Sequence, residues 1–105
     1  MTDAIWKALA DPTRRAMLDE LRGMPKTTGE LCDLFGHLDR CTVMKHLEVL
    51  VHCSLVVVER RGRTRLNHLN PAPLVEVVSR WMVGQAPSLL EAAARLKSIV
   101  EETRT

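Results

Sequence analysis

Apolar residues recur along this chain at intervals of three and four, and only one stretch sets three β-branched residues in a row. Ile5, Trp6 and Leu9 keep helical spacing and predict a short first helix that ends before Asp11-Pro12. Asp11 suits an N-cap and Pro12 the first helical position. A second helix is therefore expected to run to about Arg22, with Ala16, Met17, Leu18 and Leu21 as its apolar stripe and Gly23 and Pro25 as its stop. Thr27 and Glu30 have capping-box spacing and open a third helix, which is expected to bury Leu31, Leu34 and Phe35 and to end near Gly36. Asp39 caps a fourth helix, Asp39–His52. There Val43, Leu47 and Leu50 lie at i, i+4 and i+7 and face a core, leaving Thr42, Lys45, His46 and Val49 on the opposite side.

The pattern then changes period. Val56, Val57 and Val58 read as a strand, Gly62-Arg63 as a turn, and Leu66 and Leu69 as the returning strand of a hairpin. Asn70-Pro71 supplies an N-cap and first residue for a last helical region. It carries one stripe of Leu74, Val77, Val78, Trp81 and Met82 and another of Leu89, Leu90, Ala93, Leu96 and Val100, with a kink or break expected at Gly84 and Pro87. Four helices, two strands and a final helix make a winged helix-turn-helix, mainly α with a small β-hairpin. At 105 residues the chain has room for one such domain, spanning 1–105.

Charge sharpens this picture. Between Arg40 and Arg65 six basic residues face two acidic ones, while the other 79 residues carry nine basic against eleven acidic. A formal +4 is thus packed into 26 residues, against −2 for the rest. A basic helix joined to a hairpin tipped by Arg60, Arg61, Arg63 and Arg65 suits a nucleic-acid duplex, whose phosphates supply most of the affinity. Double-stranded RNA fits less well, because its major groove would not admit the fourth helix. The longest apolar run, Leu55–Val58, is far short of a membrane span, and no basic-then-apolar leader opens the sequence. Three cysteines, none in a Cys-x-x-Cys, favour reduced thiols and a cytoplasmic protein. Gly-rich phosphate loops, nucleophile-elbow strings and His-Glu-x-x-His are absent, so no enzyme is expected.

The strings Ala8-Leu9-Ala10-Asp11-Pro12-Thr13-Arg14-Arg15, Met44-Lys45-His46-Leu47-Glu48-Val49-Leu50 and Leu69-Asn70-Pro71 resemble the arsenic-repressor (ArsR/SmtB) family of bacterial winged-helix repressors. The similarity covers roughly Ile5 to Glu102. It implies a homodimer built from the first and last helices, bound to a palindromic operator through the fourth helix and the wing. On this chain the implied DNA-binding residues are Arg40, Thr42, Lys45 and His46 on the recognition helix and Arg60, Arg61, Arg63 and Arg65 on the wing. The apolar residues Ile5, Trp6, Leu9, Trp81, Met82, Leu89 and Leu96 are assigned to the dimer interface, since a domain this small has little core for two tryptophans on terminal helices. One departure concerns Val51-His52-Cys53-Ser54, where the family usually has an Arg-Glu-Ala-Gly-like string. Serine in a left-handed helix terminus costs about 1–2 kcal/mol, so either that helix ends differently here or the strain is offset.

Metal sensing is common in the family, but the ligands are not where the family puts them. Cys32 has no cysteine two residues on, and neither Met1–Pro25 nor Pro71–Thr105 holds a histidine or cysteine. No metal or other cofactor is therefore expected. Cys41, in the first turn of the recognition helix beside Arg40, and Cys53 are the candidate redox or thiophilic-metal thiols of an alternative, thiol-responsive repressor. Cys32 reads as a half-buried packing residue, and His37 and His68 as surface or hairpin residues. The leading expectation is a sequence-specific homodimeric repressor whose partners are double-stranded DNA and a second copy of itself, with any small-molecule effector unidentified. The reading from a different class is a winged-helix module that binds protein and no DNA; four arginines at the wing speak against it.

Overall fold

Three helices begin where a side chain takes up their first free N–H groups. In α2 (Pro12–Leu21), Asp11 Oδ1 accepts from the N–H of Thr13 at 2.8 Å and of Arg14 at 3.1 Å. In α3 (Thr28–Leu34), Thr27 Oγ1 accepts from Glu30 N–H at 3.1 Å and Glu30 Oε1 from Thr27 N–H at 2.9 Å, a complete capping box. In α4 (Arg40–His52), Asp39 Oδ1 accepts from Thr42 N–H at 2.7 Å. The computed structural model describes residues 2–82 and 89–104. Beside these helices it contains α1 (Thr2–Leu9), β1 (Lys26–Thr27), β2 (Val56–Arg61), β3 (Thr64–Leu69), α5 (Ala72–Met82) and α6 (Leu89–Arg104). The chain forms two compact units that part between Val75 and Glu76.

In the first unit the stripes read for the second, third and fourth helices are sealed for the most part, although Ala16 stays half-buried. Met17 and Leu21 of α2, Leu31 of α3, and Val43, Leu47 and Leu50 of α4 are all 2 % exposed or less. Leu55 and Val56 extend this core to the base of the hairpin. Burying one such side chain contributes about 1.5–3 kcal/mol, so this stripe is what fixes the pose of α4. One expectation fails: Leu34 is 51 % exposed. Thr28, Leu31 and Phe35 are the buried residues around α3, at i, i+3 and i+7, and Leu34 falls to the side of that stripe.

Strands β2 and β3 pair antiparallel from Val56↔Leu69 to Arg61↔Thr64, leaving Gly62-Arg63 as a two-residue turn. Gly62 has φ +62° and Arg63 has no positive φ, the sign pattern of a type II′ turn, which matches the twist of the strands it joins. The hairpin gains a third strand that the sequence pattern did not predict: β1 pairs with β3 through Lys26↔Asn67 and Thr27↔Leu66, giving the order β1-β3-β2. Asn67 is fully buried at this junction. Its Nδ2 donates to Lys26 O at 3.2 Å and Thr28 Oγ1 at 3.1 Å, so the wing is tied to the start of α3.

The end of α4 resolves the serine question. Ser54 does adopt the left-handed conformation, φ +65°, and helix-terminal hydrogen bonds surround it. Ser54 N–H donates to Val51 O and Leu55 N–H to Leu50 O, each at 3.0 Å, the paired bonds of a Schellman motif, with Leu50 and Leu55 both buried. Ser54 O accepts from Asn70 Nδ2 at 2.9 Å, and Asn70 N–H donates to Leu55 O at 2.9 Å. The same Asn70 presents Oδ1 to Ala72 N–H at 3.2 Å and so caps α5. One residue thus closes the neck of the hairpin, braces the turn that ends one helix, and starts the next.

The last helical region falls into two helices, α5 and α6. Gly84 and Pro87, where the kink was expected, lie outside the described residues. In the second unit Leu96, Ile99 and Val100 share one side of α6 and are 62 %, 54 % and 51 % exposed. Among the described residues no helix is long and apolar enough to cross a membrane.

Candidate nucleic-acid interface

The wing arginines do not all point one way. Residues paired directly across an antiparallel ladder share a face, so Arg60 and Arg65 lie on the side that carries buried Val56 and Asn67. Arg61 lies on the other side with Val57 and Glu59. An open groove of about 440 Å³ runs between the wing and α4. It is lined by Arg40, Arg60, Arg63 and Arg65, with Thr27, Thr28, Gly29, Met44 and Thr64, and no carboxylate is among its walls. Arg65 Nε is buried there without an acceptor among the described residues. Arg60 and Arg65 also sit directly opposite one another, a like-charge pairing that disfavours the hairpin. An anion in the groove would relieve that repulsion and supply the missing acceptor.

Arg61 is held outside this cluster. Its Nε donates to Glu59 Oε2 at 3.0 Å, while His68 Nε2 donates to the other carboxylate oxygen at 2.8 Å. The bonds from His68 and then Arg61 hold the Glu59 carboxyl below its ordinary range. A phosphate approaching Arg61 would have to displace Glu59.

On α4 the residues expected to face DNA differ in exposure, and His46, three residues after buried Val43 and four before buried Leu50, lies on the flank of the core stripe rather than opposite it. Arg40 and Lys45 are exposed, Thr42 and His46 half-buried, and Asp39 caps the helix beneath them. The N–H of Thr42, followed by its hydroxyl, keeps the Asp39 carboxyl ionised below its usual range, which preserves the cap. Of the cysteines, Cys41 is exposed in the first turn. Cys53 is half-buried with Sγ donating to Leu50 O at 3.5 Å, and Cys32 is half-buried with Sγ accepting from Arg40 Nη1 at 4.0 Å. Among the described residues no three His, Cys, Asp or Glu side chains gather where a metal ion could be held.

Sequence reasoning quoted Arg14 and Arg15 but gave them no task. Arg14 Nε donates to Ala8 O at 2.9 Å and Nη2 to Lys7 O at 3.0 Å; Arg15 Nη1 donates to Leu9 O at 2.6 Å. The two side chains therefore take up the carbonyls of Lys7, Ala8 and Leu9 at the end of α1. Arg14 reaches further, its Nη1 donating to His46 Nδ1 at 3.2 Å. Asp11 holds the other end of this arrangement. Partial desolvation works against its charge, but the N–H groups of Arg14 and Thr13 and the nearby Arg14 guanidinium outweigh it and lower its pKa. Glu59 and Asn67 were likewise missed, the first because it lies in a basic run, the second because its partners are some forty residues away.

The residues assigned to a dimer interface differ in exposure. Trp6, Trp81, Met82 and Leu96 are 44 %, 54 %, 44 % and 62 % exposed, Leu9 is half-buried, and Ile5 is buried at 7 %. Leu89 is the first residue of α6, and its side chain lies outside the described residues.

Residues 9–59 match the model of a helix-turn-helix domain family. The uncharacterized HTH-type transcriptional regulator YuzN of Bacillus subtilis is 38 % identical over 88 residues, which cover 76 % of this chain and 94 % of that protein. The transcriptional repressor SdpR, also of Bacillus subtilis, is 30 % identical over 79 residues, 75 % of this chain and 86 % of that one. Among solved structures, an ArsR family transcriptional regulator superposes with a TM-score of 0.69 at 34 % identity, covering 85 % of this chain and 94 % of its own. Alike in sequence across the helix-turn-helix and alike in fold beyond it, the chain belongs to the ArsR family of winged helix-turn-helix transcriptional regulators.

Proposed function

We propose that this protein is a homodimeric repressor that binds a palindromic operator through α4 and the wing, without a metal site. The observation that carries the reading is the groove itself: four arginines, one from α4 and three from the wing, converge on it with no carboxylate to neutralise them. Phosphate contacts from Arg40, Arg60, Arg63 and Arg65 set the register, and Thr42, Lys45 and His46 meet base edges in the major groove. Arg61 contributes once it leaves Glu59. A two-fold dimer places two such helices about 34 Å apart, one turn of duplex, and demands symmetry of the operator. The apolar residues Ile5, Trp6, Leu9, Trp81, Met82, Leu89 and Leu96 supply the dimer contact, and the exposure of Trp6, Trp81, Met82 and Leu96 supports that reading.

Fluorescence anisotropy with the DNA upstream of the protein's own gene against a scrambled duplex, at low and physiological salt, tests the reading. Salt-sensitive binding that prefers the upstream DNA is expected; equal binding to both, or none, would leave the partner to be sought among proteins. Sedimentation of the wild type against Leu96→Glu tests the dimer, with a shift from dimer to monomer expected. A thiol-responsive variant of this reading is favoured by the exposure of Cys41 in the first turn of α4. Oxidation there would add negative charge toward phosphate. Repeating the titration after mild oxidation, with Cys41→Ser as control, decides it.

A further inference from the structure

His46 is half-buried on the flank of α4, three residues after buried Val43 and four before buried Leu50, and turns one ring nitrogen toward α2. That nitrogen, Nδ1, lies 3.2 Å from Arg14 Nη1. A guanidinium has donors and no acceptor, so the contact is a hydrogen bond only if Nδ1 offers a lone pair. The ring is then neutral, with its proton on Nε2. Arg14 has little freedom to do otherwise. Its side chain is 17 % exposed, Nε and Nη2 are occupied by the carbonyls of Ala8 and Lys7, and Asp11 Oδ2 lies 3.8 Å from Nη1. The opposite nitrogen, Nε2, lies on the far side of the ring and has no partner among the described residues.

We propose that Arg14, although it touches no DNA, is a specificity-determining positioning residue: it locks His46 as a hydrogen-bond donor through Nε2. This rests on the proposed docking of α4 in the major groove. A free histidine side chain can turn its ring, change tautomer or take a second proton, and so present a donor or an acceptor to a base. The locked ring presents a donor alone. Base-edge acceptors in the major groove are guanine N7 and O6, adenine N7 and thymine O4, whereas cytosine offers only the N4 amino donor. His46 therefore selects a purine or a thymine at one position of each half-site and rejects cytosine. The distance in sequence between Arg14 and His46, 32 residues, means that the start of α2 sets what the recognition helix reads.

The first test needs neither a variant nor DNA. Long-range proton–nitrogen correlation spectra of the 15N-labelled protein at neutral pH should show His46 Nδ1 as the unprotonated and Nε2 as the protonated nitrogen; a proton on Nδ1 overturns the proposal. Arg14→Met removes the donor, and its spectrum should move toward an averaged pair of nitrogens, while Arg14→Lys, which keeps a donor, should retain more of the wild-type pattern. Circular dichroism establishes that each variant is folded. On DNA, the position at which His46→Ala loses its base preference is identified by single-base substitutions. Where that base is a purine, its 7-deaza analogue should weaken wild-type binding about tenfold. Cytosine at that position should weaken binding at least as much, and Arg14→Met should be indifferent to both changes. An Arg14→Met protein with the wild-type spectrum, or with unchanged base preference, refutes the role. Failure of the wild type to bind any duplex would overturn the DNA-binding reading and this role with it, while the ring's spectrum would still report whether Arg14 sets its tautomer.

Discussion

Arg60 should be a residue that weakens the fold while it strengthens the complex, and Arg60→Thr separates the two effects. Arg60 faces Arg65 directly across the β2–β3 ladder and lines the groove with Arg40 and Arg63. Like charges so placed cost roughly 0.2–1 kcal/mol, and threonine suits a strand better than arginine does. The variant should therefore unfold at a temperature higher by about 1–6 °C for a domain of this size. Loss of one phosphate contact should lower the slope of log affinity against log salt by about 0.9. Arg61→Thr makes the contrast, because Arg61 is on the other face and pairs with Glu59. It should gain no thermal stability and should lose less of the salt slope. The assays are thermal unfolding at fixed protein concentration and anisotropy titrations across a salt series. Arg60→Thr that loses stability as well as affinity would refute the placement of these arginines, and so would an Arg61→Thr that matches it in both assays.

Three further outcomes follow from geometry already described. Ser54→Gly removes a left-handed strain of about 1–2 kcal/mol at the cost of about 0.5–1 kcal/mol in chain entropy, so denaturant unfolding should show a net gain of about 0.5–1 kcal/mol, with Ser54→Ala showing none. Asn67→Ala leaves Lys26 O and Thr28 Oγ1 without their donor and opens a cavity; a loss of about 2–4 kcal/mol is expected in the same measurement. The capping carboxylates of Asp11, Glu30 and Asp39 all have pKa values lowered by folding. A carboxyl with a lowered folded pKa stabilises above its unfolded value and loses that contribution as pH falls through the folded one. Urea midpoints should hold steady from neutral pH down to the ordinary carboxyl range, 3.8 for aspartate and 4.5 for glutamate, and decline below it. Asp39→Asn, which keeps a capping oxygen without a titrating group, should make that decline shallower.

What the sequence discloses is local, and what it conceals is distant. Asp11-Pro12, Thr27 with Glu30, and Asp39 announce three helix starts because a cap bonds to N–H groups two or three residues on. Val43, Leu47 and Leu50 announce a core face because helical spacing alone places them together. Strand β1 could not be read this way: two residues carry no alternation, and Lys26 and Thr27 are a strand only because Asn67 and Leu66 lie beside them. Leu34 was misplaced because two positions, three and four residues after Leu31, compete for one buried stripe, and the larger Phe35 occupies it. The eight residues expected to contact DNA were legible as one largely basic cluster, but not the division among them. Which arginines of the two strands share a face depends on ladder register, and so does the approach of His68 to the Glu59 that neutralises Arg61. Arg14 and His46 were each visible within motif strings, while the bond between them exists only in the folded chain.

The double use of Asn70 bears on how such proteins diverge. Because its amide and backbone fasten Ser54 and Leu55 at the mouth of the hairpin, everything from Val56 to Leu69 hangs from a closed ring. Val56 and Asn67 are still held by the helices, so it is changes at the tip, beyond the pairing of Leu66 with β1, that the helices need not feel. Adding two residues to each strand would preserve which side chains share a face and extend the arm by about 7 Å, roughly the spacing of two phosphates along one strand. Arm length is thereby left as an adjustable dimension, so that descendants of one scaffold can grip longer or shorter stretches of backbone while reading the same bases.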